Sequence, residues 1–449
     1  MNAPASLSPA APRRHLRSGH AMLLALGMIM STDALKTAPT VVLNIGHWHF
    51  IALWVLGGLI SMVGALSYVE MATSFPDAGG EYSFLCRAWG KRVGALYAWS
   101  RFAIMHTGWI ALMAHLAADY IAAPLGLGAG GRLALALALV AALTGLNLAH
   151  VRLGFLTQAL LVLVVVAGFA SVTVAGMIVL AAPLVAAGPP PASGAFAVGM
   201  IYIFLAYGGW SDAATLSAEV RHGRHGMMIA VIGSITMLTV IYVALNWALM
   251  RGLGEVALAH ASAPAADLAR RALGWPGEML VVAVVGVSAV ANINSTIIVC
   301  SRTTYAVARD IPALALFADW HPTRATPTRA VLLVGGFSLL LTLLSALTGS
   351  GFNAMVDYMT PVYWLFVGLG MAAAIRLRLT HPDQVRPIRT PLFPLFPASF
   401  IALSVYMIYS SFAHLGLGAL LGAVVLAAGA VLETALRRRS GEGASGAPA

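Results

Sequence analysis

The sequence predicts an all-α integral membrane protein of twelve spans, and three observations carry that prediction. The first is composition. Of 449 residues, 60% are hydrophobic and only 9% are charged, with a mean hydropathy of +0.86, which leaves too little charge to cover a soluble surface. The second is a succession of apolar runs, each near or above the ~20 residues that a tilted helix needs to cross a bilayer. The third is the placing of the basic residues, which gather on alternate connections as the positive-inside rule expects.

In chain order, residues 1–20, rich in Ala, Pro and Ser and carrying Arg13, Arg14 and Arg17, read as a disordered cytoplasmic tail. A signal peptide is excluded because the next apolar region carries Asp33 and Lys36 and runs on without a cleavage site. The runs fall at 21–45, 50–74, 93–123, 132–150, 153–182, 194–219, 227–250, 277–309, 328–348, 352–375, 395–413 and 416–436. Arg87, Lys91, Arg92, Arg221, Arg224, Arg376, Arg378 and Arg437 to Arg439 lie on one side; Arg132, Arg251, Arg270 and Arg271 lie on the other. Both termini are therefore expected in the cytoplasm, in the plasma (inner) membrane of a bacterial cell. The net charge of +10 becomes a topology signal, and a nucleic-acid partner is not expected. Cys86 and Cys300 are the only cysteines, both on the cytoplasmic side, so no disulfide, metal or cofactor framework is expected.

Two runs are not ordinary spans. The first places Asp33 and Lys36 mid-membrane within Gly27 to Pro39, where each charge costs at least ~2.5–3.5 kcal/mol and so calls for a function. The plainer alternative is a self-neutralising Asp33–Lys36 pair at i, i+3 spacing. The sixth run holds Tyr207-Gly208-Gly209-Trp210-Ser211-Asp212, where the glycines permit a break or, alternatively, close helix packing. Interrupted segments at matching places in two five-span halves point to an inverted-repeat transporter with its site at the midplane. Unwound backbone supplies amides for a carboxylate and carbonyls for an ammonium, so a zwitterion satisfies both.

Several stretches carry a family resemblance. Phe75-Pro76-Asp77-Ala78-Gly79-Gly80-Glu81-Tyr82 with Arg87-Ala88-Trp89-Gly90 resembles the loop after span 2 in amino acid permeases of the amino acid–polyamine–organocation superfamily. Ala206-Tyr207-Gly208-Gly209-Trp210 with Ser217-Ala218-Glu219-Val220 is similar to that family's span 6, and Ser301 to Asp310 with Pro312 is similar to the end of its span 8. The resemblance implies a LeuT-type 5+5 inverted repeat with discontinuous helices 1 and 6 and two peripheral helices. The first repeat is then 21–182, the second 194–375, spans 11 and 12 lie in 395–436, and 437–449 is a second cytoplasmic tail. It also implies substrate contacts at Ser31, Thr32, Asp33, Ala34 and Lys36, and at Leu205, Ala206, Tyr207, Gly208 and Gly209. The chain departs from the family where a Gly-Ser-Gly would break span 1, and where an aromatic gate would precede Ala-Tyr, since Leu205 stands there beside Phe204. Residues 153–182 carry no basic residue in span 5, where several members have a lysine.

Further candidates divide between function and packing. Asp212 reads a cationic group or caps the second half-helix. Glu219, with Arg221 and Arg224, belongs to an inner gate or a topology cluster. Phe204 and Trp210 are gating candidates, and Asp33 and Lys36 are candidates for coupling. His106 relays protons or packs. Of Asn292 and Asn294, at most one lines the site, and Asn294 is the candidate. Asp119 and Asp357 read as interfacial, and Arg101 either snorkels or pairs with an acid such as Glu70. The expected function is secondary transport of amino acids or close zwitterions by alternating access, with proton-coupled symport or exchange. The alternatives are an amine or polyamine transporter of the same fold and a sensor that does not transport, which the short tails disfavour. No motif for an enzyme is present.

Overall fold

The computed structural model describes residues 22–439 except 23, 24, 27, 28, 47, 48, 76–79, 150–154, 180–192, 212–222, 311, 320, 322–325 and 348–350. Both terminal tails, apart from helical residues 437–439, and the Pro189 to Pro191 connection lie outside the described residues. The regular elements are helices throughout: α1 Ala34–Ile45, α2 Phe50–Ser74, α3 Glu81–Trp89, α4 Lys91–Leu125, α5 Ala129–Leu148, α6 Phe155–Val179 and α7 Ser193–Ala206. They continue as α8 Gly226–Leu253, α9 Glu255–His260, α10 Pro264–Asp310, α11 Thr328–Ala346, α12 Gly351–Thr380, α13 Leu395–His414 and α14 Leu417–Arg439. Helix is what a bilayer selects, because each backbone polar group finds its partner within the segment.

Among the described residues ten helices are long and apolar enough to cross a membrane. They coincide with ten of the twelve apolar runs, and the two remaining runs are the two with polar interruptions. Those runs are broken: the first is non-helical between Ile29 and Ala34, and the sixth leaves the helix after Ala206.

The layering follows burial. Two thirds of the apolar window of α4 is buried inside the protein, 67% against 17% for α14, so α4 is central and α14 lies on the periphery. Around α4 stand α10, α12, α5 and α11, while α6 packs on both α8 and α10. The short α1 and α7 lie against each other, so the two interruptions share one neighbourhood. Gly57 of α2 permits that crowding, because a Cβ there would meet Ile203 and come within 3.2 Å of the Tyr207 ring. Nearer the C-terminal end of α2, Glu70 joins Arg378 (3.5 Å), Arg386 (3.4 Å) and the amide of Thr390 (2.6 Å). Of the two readings of Arg101, the pair with Glu70 does not form; its guanidinium lies over Tyr97 at 5.8 Å. Cys86 and Cys300 are free thiols.

Candidate functional site

At the first interruption the upstream helix makes its last bond from the Met30 amide to the Leu26 carbonyl (2.7 Å). Met30 and Ser31 are then non-helical, Thr32 and Asp33 turn, and α1 begins at Ala34 with Asp33 at its cap. Among the described residues the amides of Asp33 and Ala34 have no backbone acceptor, as expected of a helix start. The Tyr242 hydroxyl of α8 lies 3.4 Å from both the amide and the carbonyl of Ser31, accepting from one and donating to the other. The Ser31 hydroxyl donates to Met113 sulfur in α4 (3.8 Å), and Thr32 Oγ1 donates to Ser288 Oγ in α10 (3.3 Å). The break is thus held by three helices.

Asp33 is fully buried, and among the described residues neither carboxylate oxygen closes a hydrogen bond. The Ser31 hydroxyl and the amides of Asp33 and Ala34 are its polar neighbours. A buried carboxylate without a partner carries a desolvation cost of several kcal/mol, which a cation or a proton would offset.

Lys36 does not supply that cation. Its ammonium forms an ion pair with Asp119 of α4 at 2.8 Å and donates to the Ser262 carbonyl at 2.5 Å. The i, i+3 pairing suggested by the sequence is absent, and Asp119, read as interfacial, is the partner instead.

The second interruption uses different chemistry. The Gly208 amide donates to Leu205 (3.0 Å), tightening the last turn of α7, and Gly209 then takes a positive φ of 89°, a conformation that costs a side-chain-bearing residue roughly 1–2 kcal/mol. Tyr207 donates to the Trp54 carbonyl (2.9 Å), and its ring stands 5.3 Å from that of Tyr242. Trp54 closes this group, 5.9 Å from Tyr242 and 6.3 Å from Tyr207. Trp210 packs edge-on to Tyr68 (5.1 Å), whose hydroxyl donates to Glu81 (2.6 Å). Phe204 packs on Trp364 (5.2 Å), Leu205 is half-buried and Ala206 is buried.

Tyr242 therefore touches both interruptions and joins the backbone at Ser31 to the ring of Tyr207. The sequence reading missed it, together with Trp54 and Ser288. A signal existed: a tyrosine amid the apolar run 227–250, four residues from Asn246, is a polar face where aromatic residues normally keep to the membrane interface. Of the remaining candidates, Asn294 and His106 are described. Asn294 accepts a bond from Asn147 of α5 (2.8 Å). His106 ends a π-helical turn, Arg101–His106, within α4, and its Nδ1 has no partner among the described residues. Asp212 and Glu219 lie outside the described residues. Among the described residues no three His, Cys, Asp or Glu side chains gather as a metal site.

Buried helix ends, a buried acid and aromatic walls suit a small charged solute better than a chemical reaction. Comparison with known proteins agrees. The sequence profile described as amino acid permease matches residues 20–428. The chain belongs to that family. It is also similar to b(0,+)-type amino acid transporter 1 of Mus musculus, 25% identical over 366 residues that cover 79% of this chain and 74% of the relative. The Homo sapiens protein of the same name is 24% identical over the same shares. Large neutral amino acids transporter small subunit 2 of Oryctolagus cuniculus is 27% identical, covering 80% of this chain and 68% of the relative. These relatives are transporters, so the chain belongs among multi-pass membrane permeases and not among enzymes.

Proposed function

We propose that this permease moves amino acids or closely related small zwitterions across the plasma (inner) membrane by alternating access, holding the substrate between residues 30–34 and 205–211. The observation that carries the reading is Asp33: a fully buried carboxylate whose oxygens close no hydrogen bond among the described residues and have the Ser31 hydroxyl and the Asp33 and Ala34 amides as polar neighbours, at a helix break that Tyr242 links to the second break. The substrate ammonium meets Asp33 and the carbonyls where the upstream helix and α7 stop; the amides of Asp33 and Ala34 draw its carboxylate. Asp33 itself competes for those amides. A proton on Asp33 removes the competing charge, which gives the residue a role in proton-coupled symport, while exchange needs no such step.

The architecture that goes with this reading has twelve spans, with inverted repeats over 21–182 and 194–375 and cytoplasmic termini. The two breaks fall at matching places in those halves, as such repeats require. The names of the relatives, one for b(0,+)-type and one for large neutral amino acids, support an α-amino acid as substrate. A second reading has a specific basis: Asp33 already occupies the helix start that would hold a substrate carboxylate, which favours an organic amine or polyamine.

A thermal-shift screen of the purified protein against amino acids and amines at two pH values tests both. A true substrate at a hundred times its Kd stabilises by about 2.7 kcal/mol. Competition by lysine, putrescine, alanine and leucine then separates the readings, because a cation site ignores neutral zwitterions. Stabilisation by none of these solutes would overturn the proposal.

A further inference from the structure

The connection between α8 and α10 rests on the first broken helix. Its short α9 packs against α1, and the bend that follows, at Ser262 and Ala263, presents the Ser262 carbonyl to Lys36. The same ammonium binds Asp119 of α4 at 2.8 Å. Arg132 at the start of α5 stands 3.8 Å from the other Asp119 oxygen, and Tyr120 donates to the Leu35 carbonyl at 3.3 Å. One side chain, a single turn from Asp33, therefore ties α1 and α4 to the connection between α8 and α10.

The pair is neither an exposed surface bridge nor a sealed one. Lys36 and Asp119 keep 13% and 20% of their side-chain surface. Exposed pairs contribute little, whereas removal of one partner from a desolvated pair leaves a poorly solvated charge behind. Water can still reach this pair, so it can open and close.

We propose that Lys36 is a positioning residue for transport, the bolt of a latch that holds the 261–263 bend over the first interruption until Asp119 and Ser262 release it. The proposal rests on the transport reading of the two interruptions. It assigns to Lys36 a place in access to the site, one turn away from substrate contact.

Differential labelling of the solubilised full chain tests this. A Cys86→Ser background keeps Cys300, which is buried, as an internal control, and Ala263→Cys places a reporter at a fully buried position in the bend. Lys36→Met is expected to raise the maleimide reactivity of the reporter at least ~tenfold while that of Cys300 stays constant, because local opening is selective where global loosening is not. Asp119→Asn, which keeps the shape and removes the charge, is expected to give the same selective rise. An unchanged reporter in either variant, or a parallel rise at Cys300, would overturn the latch. The labelling requires no substrate, so its failure leaves the transport reading standing, and failure of the ligand screen leaves the labelling result intact.

Discussion

At residues 30–33 the chain leaves its helix without a glycine and carries a buried carboxylate; at 207–211 it leaves through Gly208 and Gly209 and is walled by Trp54, Tyr242 and Trp210. The first break is tied by polar contacts to three helices, and the second by ring contacts to α2, α8 and α13. Under the proposed function the difference separates two tasks. The first break would recognise charge, where desolvation makes one carboxylate decisive. The second would set shape, where aromatic rings are large and stiff and glycine admits a backbone that other residues resist.

Substitutions can break or sharpen that contrast. The largest effect is expected from Asp33→Asn, which keeps the volume and removes the charge: uptake in proteoliposomes should fall roughly 30-fold or more, in line with about 2–5 kcal/mol for a lost partner of a buried charge, while the protein remains folded. Next is Gly209→Val. A β-branched residue at positive φ should lower uptake ~tenfold and depress the Tm as well, through strain of roughly 1–2 kcal/mol, so a change in affinity alone would contradict a backbone role. Tyr242→Phe removes only the hydroxyl that bridges to Ser31. Binding should weaken about fivefold, the worth of one hydrogen bond near 1 kcal/mol, and an unchanged Kd in calorimetry would detach Tyr242 from the site. Least affected is Asn294→Ala, which breaks the bond to Asn147; it should lower the Tm slightly and leave KM unchanged, and a raised KM would return Asn294 to the binding surface.

Much of this was legible in the sequence because bilayer physics is one-dimensional. Runs of about 20 apolar residues mark helices, and the two runs with polar residues at their centres are the two that break. The first break was legible although its glycines are missing, because Asp33 is too costly to bury idly. What the sequence left open are contacts between spans. Lys36 lies one turn from Asp33, and only the packing of α1 on α4 turns it toward Asp119. Tyr242 shares a polar face with Asn246, a pattern that marks its helix without naming its partner, and it reaches Ser31 because α8 approaches the break. Helix periodicity allows at most one of Asn292 and Asn294 to line the site, and it gives the face of a helix without saying which neighbour stands opposite.

The central claim is that both interruptions line a single binding site, and substrate protection tests it most directly. In a Cys86→Ser, Cys300→Ser background, Ser31→Cys and Ala206→Cys are each reacted with a small methanethiosulfonate, with and without the solute that stabilises the protein in the thermal screen. The account predicts that the solute slows modification at both positions with the same half-maximal concentration. Protection at one position only, or at different concentrations for the two, would contradict it.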